Sequence, residues 1–241
     1  MKEDNLILRP LEARKPKNRV LEFASVEPIE KLVIYNGSPR KKGSNSSIIL
    51  EKVIESLGNR VEIRDLKKTD QWNGWADSFI HEKHVMFFMP LYVHAMPSHV
   101  MEFIEKLQPS KGSISFFVQS GFPESSQSHY LEAYFEQLAP RLGRAYLGTA
   151  IKGGMEGLQM RPAAGQDKMI EPIVETFSNL VNEGKFNPAD IHKLASPVRL
   201  GKGTQLVFQL FNKKINALIW DQKLKTNHAY EKSYDRPYSK E

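Results

Sequence analysis

The sequence contains no cysteine in its 241 residues, which excludes disulfides, thiolate zinc sites, cysteine nucleophiles and cysteine-ligated iron–sulfur clusters within this chain. It also lacks a long apolar run. The most apolar stretch, Val85 to Val93, is too short to cross a membrane and carries Pro90 within it. Met1 to Glu30 mixes charges with prolines (Arg9, Pro10, Lys15, Pro16, Lys17) and has no apolar h-region of a secretory signal. A soluble protein of the reducing cytoplasm is therefore expected. Neither internal repeats nor low-complexity segments occur. His81-Glu-Lys-His84 is one residue short of H-E-x-x-H, His99 and His129 read as helix-surface residues, and no ligand cluster has metal spacing, so no metal is expected.

What is present is enough for one sizeable core with appendages: 40% of residues are hydrophobic and 26% charged. The net charge of +6 belongs to the tail, where Lys185 to Glu241 holds eleven Lys/Arg against five Asp/Glu. The tail has no interleaved aromatic platform and no nucleic-acid motif, so its charges read as solvated helix faces and no nucleic-acid partner is expected.

Along the chain, apolar periodicity alternates between two and three to four residues. Lys31 to Asn36 is a β-branched run that stops at Gly37, and Ser46 to Leu57 sets Ile48, Ile49, Val53, Ile54 and Leu57 in one helical stripe. Arg60 to Leu66 alternates Val61 and Ile63 with outward charges, closing a βαβ unit. The pattern repeats with a short helix (Trp72, Trp75, Ala76, Phe79, Ile80), the doubly covered strand His84 to Met89, and a helix at Ser98 to Leu107. It recurs again in strands Ser113 to Gln119 and Ala145 to Ile151, with helices at Ser128 to Leu142 (Leu131, Tyr134, Phe135 and Leu138 inward) and Lys168 to Asn182. Five such units predict an α/β, doubly wound, five-stranded parallel sheet with helices on both faces. The expected division is an N-terminal arm at 1–30, the sheet domain at 31–184 and a helical C-terminal extension at 185–241. In the extension, Thr204 to Leu224 carries the stripe Leu206, Val207, Leu210, Phe211, Ile215, Leu218, Ile219 and Leu224, which must cover something.

In an open parallel sheet the strand C-termini form the ligand crevice, so function is read from the segments after strands one, three and four. The first is Gly37-Ser-Pro-Arg-Lys-Lys-Gly-Ser-Asn-Ser46. Two glycines permit close backbone approach, while Ser38, Ser44, Asn45 and Ser46 offer donors. Arg40 adds a guanidinium fork, and a helix N-terminus adds its dipole. This chemistry suits a phosphate. It is not a P-loop, since five residues separate the glycines and no Lys-Ser/Thr pair follows, and no G-x-G-x-x-G occurs. Lys41 and Lys42 read as solvated. In the second segment, Pro90 to Pro97, Tyr92 and Met96 either offer a flat apolar surface to a polar ring or belong to the core.

Gly37 to Ser46, Pro90-Leu-Tyr-Val-His-Ala-Met-Pro97 and Gly121-Phe-Pro-Glu124 resemble the three flavin-contacting segments of the NADPH-dependent FMN reductase family, within the flavodoxin-like superfamily. The resemblance covers about Lys31 to Asn182 and is closer to the branch of iron–sulfur flavoproteins, whose cluster cysteines this chain lacks. It implies FMN as cofactor. Ser38, Arg40, Ser44, Asn45 and Ser46 would hold its phosphate; Pro90, Leu91, Tyr92, Val93 and Met96 would line its ring and ribityl chain; Ser120, Gly121 and Phe122 would approach the ring's polar edge. The resemblance further implies NADPH or NADH as co-substrate, a small-molecule electron acceptor and a homodimer. The alternative is a non-enzymatic FMN electron carrier serving a protein partner. No side chain need act as nucleophile or acid–base catalyst, because the flavin carries the chemistry.

Overall fold

A computed structural model describes residues 24–40, 43–207, 210 and 217–236. Residues 1–23, Lys41, Lys42, Phe211, Ile215 and the side chains of Leu218 and Ile219 lie outside the described residues. Five strands, β1 (Leu32–Asn36), β2 (Val61–Asp65), β3 (His84–Pro90), β4 (Ser113–Gln119) and β5 (Ala145–Lys152), pair in parallel in the order β2-β1-β3-β4-β5. That order is the flavodoxin-like form of the doubly wound sheet, as the sequence predicts.

Alternate residues of each strand feed two cores, one per face. On one face Leu32, Ile34, Met86, Phe88 and Phe117 pack with helices α1 (Asn45–Leu57) and α5 (Ala163–Glu183). On the other, Val33, Tyr35, Phe87 and Phe116 pack with α2 (Trp72–Phe79), α3 (Ser98–Glu105) and α4 (His129–Arg141). Aromatic rings pave this second core: Phe116 stacks on Phe135 with centroids 3.8 Å apart, and Tyr35 stacks on Phe87 at 5.1 Å. β1 and β4 are buried at every position, because helices cover both faces.

Some expectations fail locally. Arg64 does not point outward: it is buried, with Nη1 donating to the Tyr35 and Ser78 hydroxyls at 3.1 and 2.7 Å, Nη2 to Glu82 at 2.6 Å and Nε to Glu62 at 2.8 Å. Four partners, from three elements and a loop, compensate its desolvation, which a local alternation pattern does not reveal. Tyr134 and Ile54 are exposed rather than inward. Helix α5 begins at Ala163, one residue after Pro162, rather than near Lys168; its first turn is Ala- and Gly-rich and carries no apolar stripe. After α5, Gly184 takes the left-handed conformation that ends it, and α6 (Pro188–Leu194) follows with Asn187 as N-cap. Leu206, Val207 and Leu210 of the extension's stripe are exposed. Among the described residues no helix is long and apolar enough to cross a membrane.

Candidate functional site

Three loops leave the C-terminal edge of the sheet at one level, because each begins with a further backbone hydrogen bond to the neighbouring strand. Gly37 N–H donates to Phe88 O at 2.8 Å, Leu91 N–H to Gln119 O at 2.8 Å and Ser120 N–H to Lys152 O at 3.0 Å. The loops after β1 and β3 flank the point where the chain reverses direction across the sheet, which is where an open α/β sheet splays to leave a crevice. Gly37 is required there: a Cβ would lie 2.5 Å from Val100 Cγ2, so α3 packs directly on this loop's backbone.

The crevice holds a cavity of about 90 Å³. Ten of the thirteen residues expected from sequence line it: Ser38, Arg40, Ser44, Asn45, Ser46, Pro90, Leu91, Tyr92, Ser120 and Gly121. Gln119 and Glu156 complete the wall. The other three stand elsewhere. Met96 is buried in the core under the second loop, while Val93 and Phe122 are exposed, 94% and 69%. Gln119 is legible in sequence as a polar side chain that closes a strand directly after the apolar run Phe116 to Val118. Glu156 sits in a glycine-rich loop after β5 that nothing in its own sequence ties to the other three.

The serine hydroxyls are arranged to donate. Ser38 Oγ accepts from Arg40 N–H at 3.4 Å and Ser46 Oγ accepts from Gln119 Nε2 at 3.4 Å. Ser44 Oγ, the N-cap of α1, accepts from Ser47 N–H at 3.3 Å. Each oxygen thus receives a proton from within the protein. The O–H protons of Ser38 and Ser46 remain for a ligand, and that of Ser44 is shared at most with Ser47 Oγ at 3.2 Å. With the first-turn amides of α1 and the exposed guanidinium of Arg40, the wall is a donor set for an anion. Asn45 plays a different part with its side chain: Nδ2 donates to Met155 O at 2.6 Å, strapping the start of α1 to the loop after β5.

The second loop turns back on itself at Val93 and His94, whose φ angles are 49° and 62°. Tyr92 and Ala95 exchange both backbone hydrogen bonds at 2.9 Å, so the tip is a two-residue turn with both central residues in the left-handed region. Because Gln127 O can only accept, His94 Nδ1–H donates to it, at 3.0 Å, and pins the tip to the third loop. Glu124 in that loop accepts from Leu200 N–H at 2.7 Å, a structural duty. His99 beside the first loop is half-buried, not a surface residue, and burial holds its imidazole below the ordinary range; burial does the same to His129. Among the described residues no three His, Asp or Glu gather as a metal site.

No protein-family model matches the chain, and no curated protein does. Solved structures do match. A candidate quinone reductase from Klebsiella pneumoniae superposes with a TM-score of 0.53 at 11% identity, covering 72% of this chain and 98% of that one. An NADPH-quinone reductase from P. pentosaceus (TM-score 0.48, 14% identity, 60% of this chain and 96% of that one) is also similar. So is an FMN-dependent NADH-azoreductase from Bacillus anthracis in complex with FMN (TM-score 0.47, 15% identity, 64% of this chain and all of that one). The neighbours are spanned almost whole, and more than a quarter of this chain has no counterpart in them. At such identities the likeness is one of fold, and the fold this chain shares with them is the flavodoxin-like α/β sandwich.

Proposed function

We propose that the protein is an FMN-dependent NAD(P)H oxidoreductase of the cytoplasm, related to the FMN reductase family, that passes a hydride from NAD(P)H to bound FMN and on to a small-molecule acceptor. The observation that carries this reading is the convergence of Ser38, Arg40, Ser44 and Ser46 with Pro90 to Tyr92 and Ser120 to Gly121 on one cavity at the sheet's reversal point. The neighbour from Klebsiella pneumoniae agrees in class.

The residues fit the cofactor part by part. A cavity of about 90 Å³ is far below the roughly 300–1,000 Å³ of a site that encloses a whole ligand, so it takes the phosphate and leaves the ring on the open surface beside Tyr92. The donor hydroxyls, the Asn45 and Ser46 amides and Arg40 would hold a dianion there. Gly121 leaves room for the Glu156 carboxylate against the third loop, since a Cβ would meet Oε2 at 2.8 Å. When bound, FMN supplies two-electron acceptance and release. The chain's part is to anchor the phosphate, to orient the ring through backbone groups of the second and third loops, and to leave one ring face open to nicotinamide and acceptor in turn. Two copies of the chain would pair, with the exposed stripe of the extension at the contact.

Titrating the purified protein with FMN and then adding NADPH anaerobically tests the reading. A perturbed flavin band that bleaches rapidly supports the reductase; binding without bleaching shifts the reading to an electron carrier; absence of binding at micromolar FMN overturns it. Ser38→Ala and Arg40→Ala should each raise the FMN dissociation constant about tenfold, as expected for losing one charge-assisted contact.

A further inference from the structure

The extension returns to the cleft after leaving it. Past α6 it is sewn to the third loop, with Ser125 N–H donating to Pro197 O and Ser126 N–H to Val198 O, both at 3.1 Å. Farther on, Lys223 Nζ lies 3.4 Å from Glu156 Oε1, the carboxylate on the cavity wall. The same ammonium sits 4.8 Å from the centroid of the Trp220 ring, and that indole is 48% exposed. Trp220 and Lys223 therefore stand at the mouth of the cleft, beside a cavity too small to enclose more than a phosphate.

We propose that Trp220 and Lys223 form the outer wall of the second-substrate position and favour a planar acceptor that bears a negative charge. The inference rests on the flavin reading above and adds to it the class of acceptor. Trp220 offers a wide, stiff, half-exposed surface on which a fused ring stacks. Lys223 has three N–H donors, and Glu156 takes one at a distance long for a tight pair. Its side chain is 36% exposed and that of Glu156 48%, so water screens the pair and an incoming anion competes for the ammonium at little cost. In the full reaction NAD(P)H gives up a hydride and becomes NAD(P)+. The acceptor, a quinone for example, takes those two electrons and the proton, plus one proton from solvent, to leave as the hydroquinone.

The test compares a naphthoquinone sulfonate with the uncharged naphthoquinone as acceptors. For Lys223→Glu the KM of the sulfonate should rise about tenfold relative to that of the uncharged quinone, as expected when an exposed attraction becomes a repulsion. Trp220→Ala should raise both. A redox-inert naphthalene sulfonate, titrated into full-length protein with and without FMN, should quench indole fluorescence in the wild type, not in Trp220→Phe, and more weakly in Lys223→Glu. An unchanged KM ratio with FMN still bound overturns this inference alone. Failure to bind FMN while the sulfonate still quenches through Trp220 overturns the flavin reading and with it the acceptor role, leaving Trp220 and Lys223 as a site for planar anions; absence of Trp220-dependent quenching with FMN bound overturns this inference alone.

Discussion

Val93 is β-branched, holds φ at 49° and exposes 94% of its surface. A left-handed conformation costs an ordinary L-residue about 1–2 kcal/mol, and Val93 recovers almost none of that by burial. Replacing it with asparagine tests whether the turn is strained. Asparagine enters the left-handed region far more readily and is the favoured first residue of this turn type. The exchange leaves the Tyr92–Ala95 backbone pair and the His94–Gln127 anchor in place. Val93→Asn should therefore stabilise the protein by about 1 kcal/mol, a rise in Tm of about 2–4 °C for a chain of this size. Thermal unfolding followed by circular dichroism, repeated in urea to check that the slope is unchanged, measures it. Acceptor turnover measured alongside should fall if the tip's shape serves the site, the usual exchange of activity for stability. A Tm that drops or does not move would refute the claim that strain is stored at this tip.

Other expectations follow from the same geometry. Gly121→Ala pushes a methyl group against Glu156; because the obstructing oxygen is the end of a flexible side chain, folding should lose under about 1 kcal/mol, while FMN affinity falls roughly fivefold. Burial, with the neighbouring Glu136 second, pushes the Glu132 carboxyl up to about 7. The folded state then holds a proton that the unfolded chain gives up near pH 4.5, so this stabilisation is complete below about pH 4.5 and lost as pH rises through 7. Glu132→Gln should flatten that slope and stabilise the protein above pH 7 by on the order of 2 kcal/mol, read from urea midpoints across pH. Asn45→Ala removes the strap to Met155 and should weaken FMN binding by about 1 kcal/mol in the same titration, with the loop after β5 gaining hydrogen-exchange rate.

The strands were legible because helices cover both sheet faces, and burial on two sides leaves near-continuous apolar runs such as Val85 to Met89. The first loop was legible because glycine, hydroxyl and guanidinium chemistry is dense there over ten consecutive residues. What periodicity misses is set by distant partners. Arg64 reads as solvated until Tyr35, Ser78 and Glu82 are seen around it. Met96 faces the core rather than the cleft, because the tight turn at Val93 and His94 redirects the chain after Tyr92. Glu156 and Lys223 join the site only through the path of the chain after β5, which no local pattern encodes.

The strap between Asn45 and Met155 joins residues 110 positions apart. At a synthesis rate of about 5–20 residues per second, roughly 5–20 s pass between the ribosome's addition of one and the other. A nascent chain that already carries the whole first loop still lacks the strand and loop to which Asn45 is tied, so the loop takes its final shape only once β5 has joined the sheet.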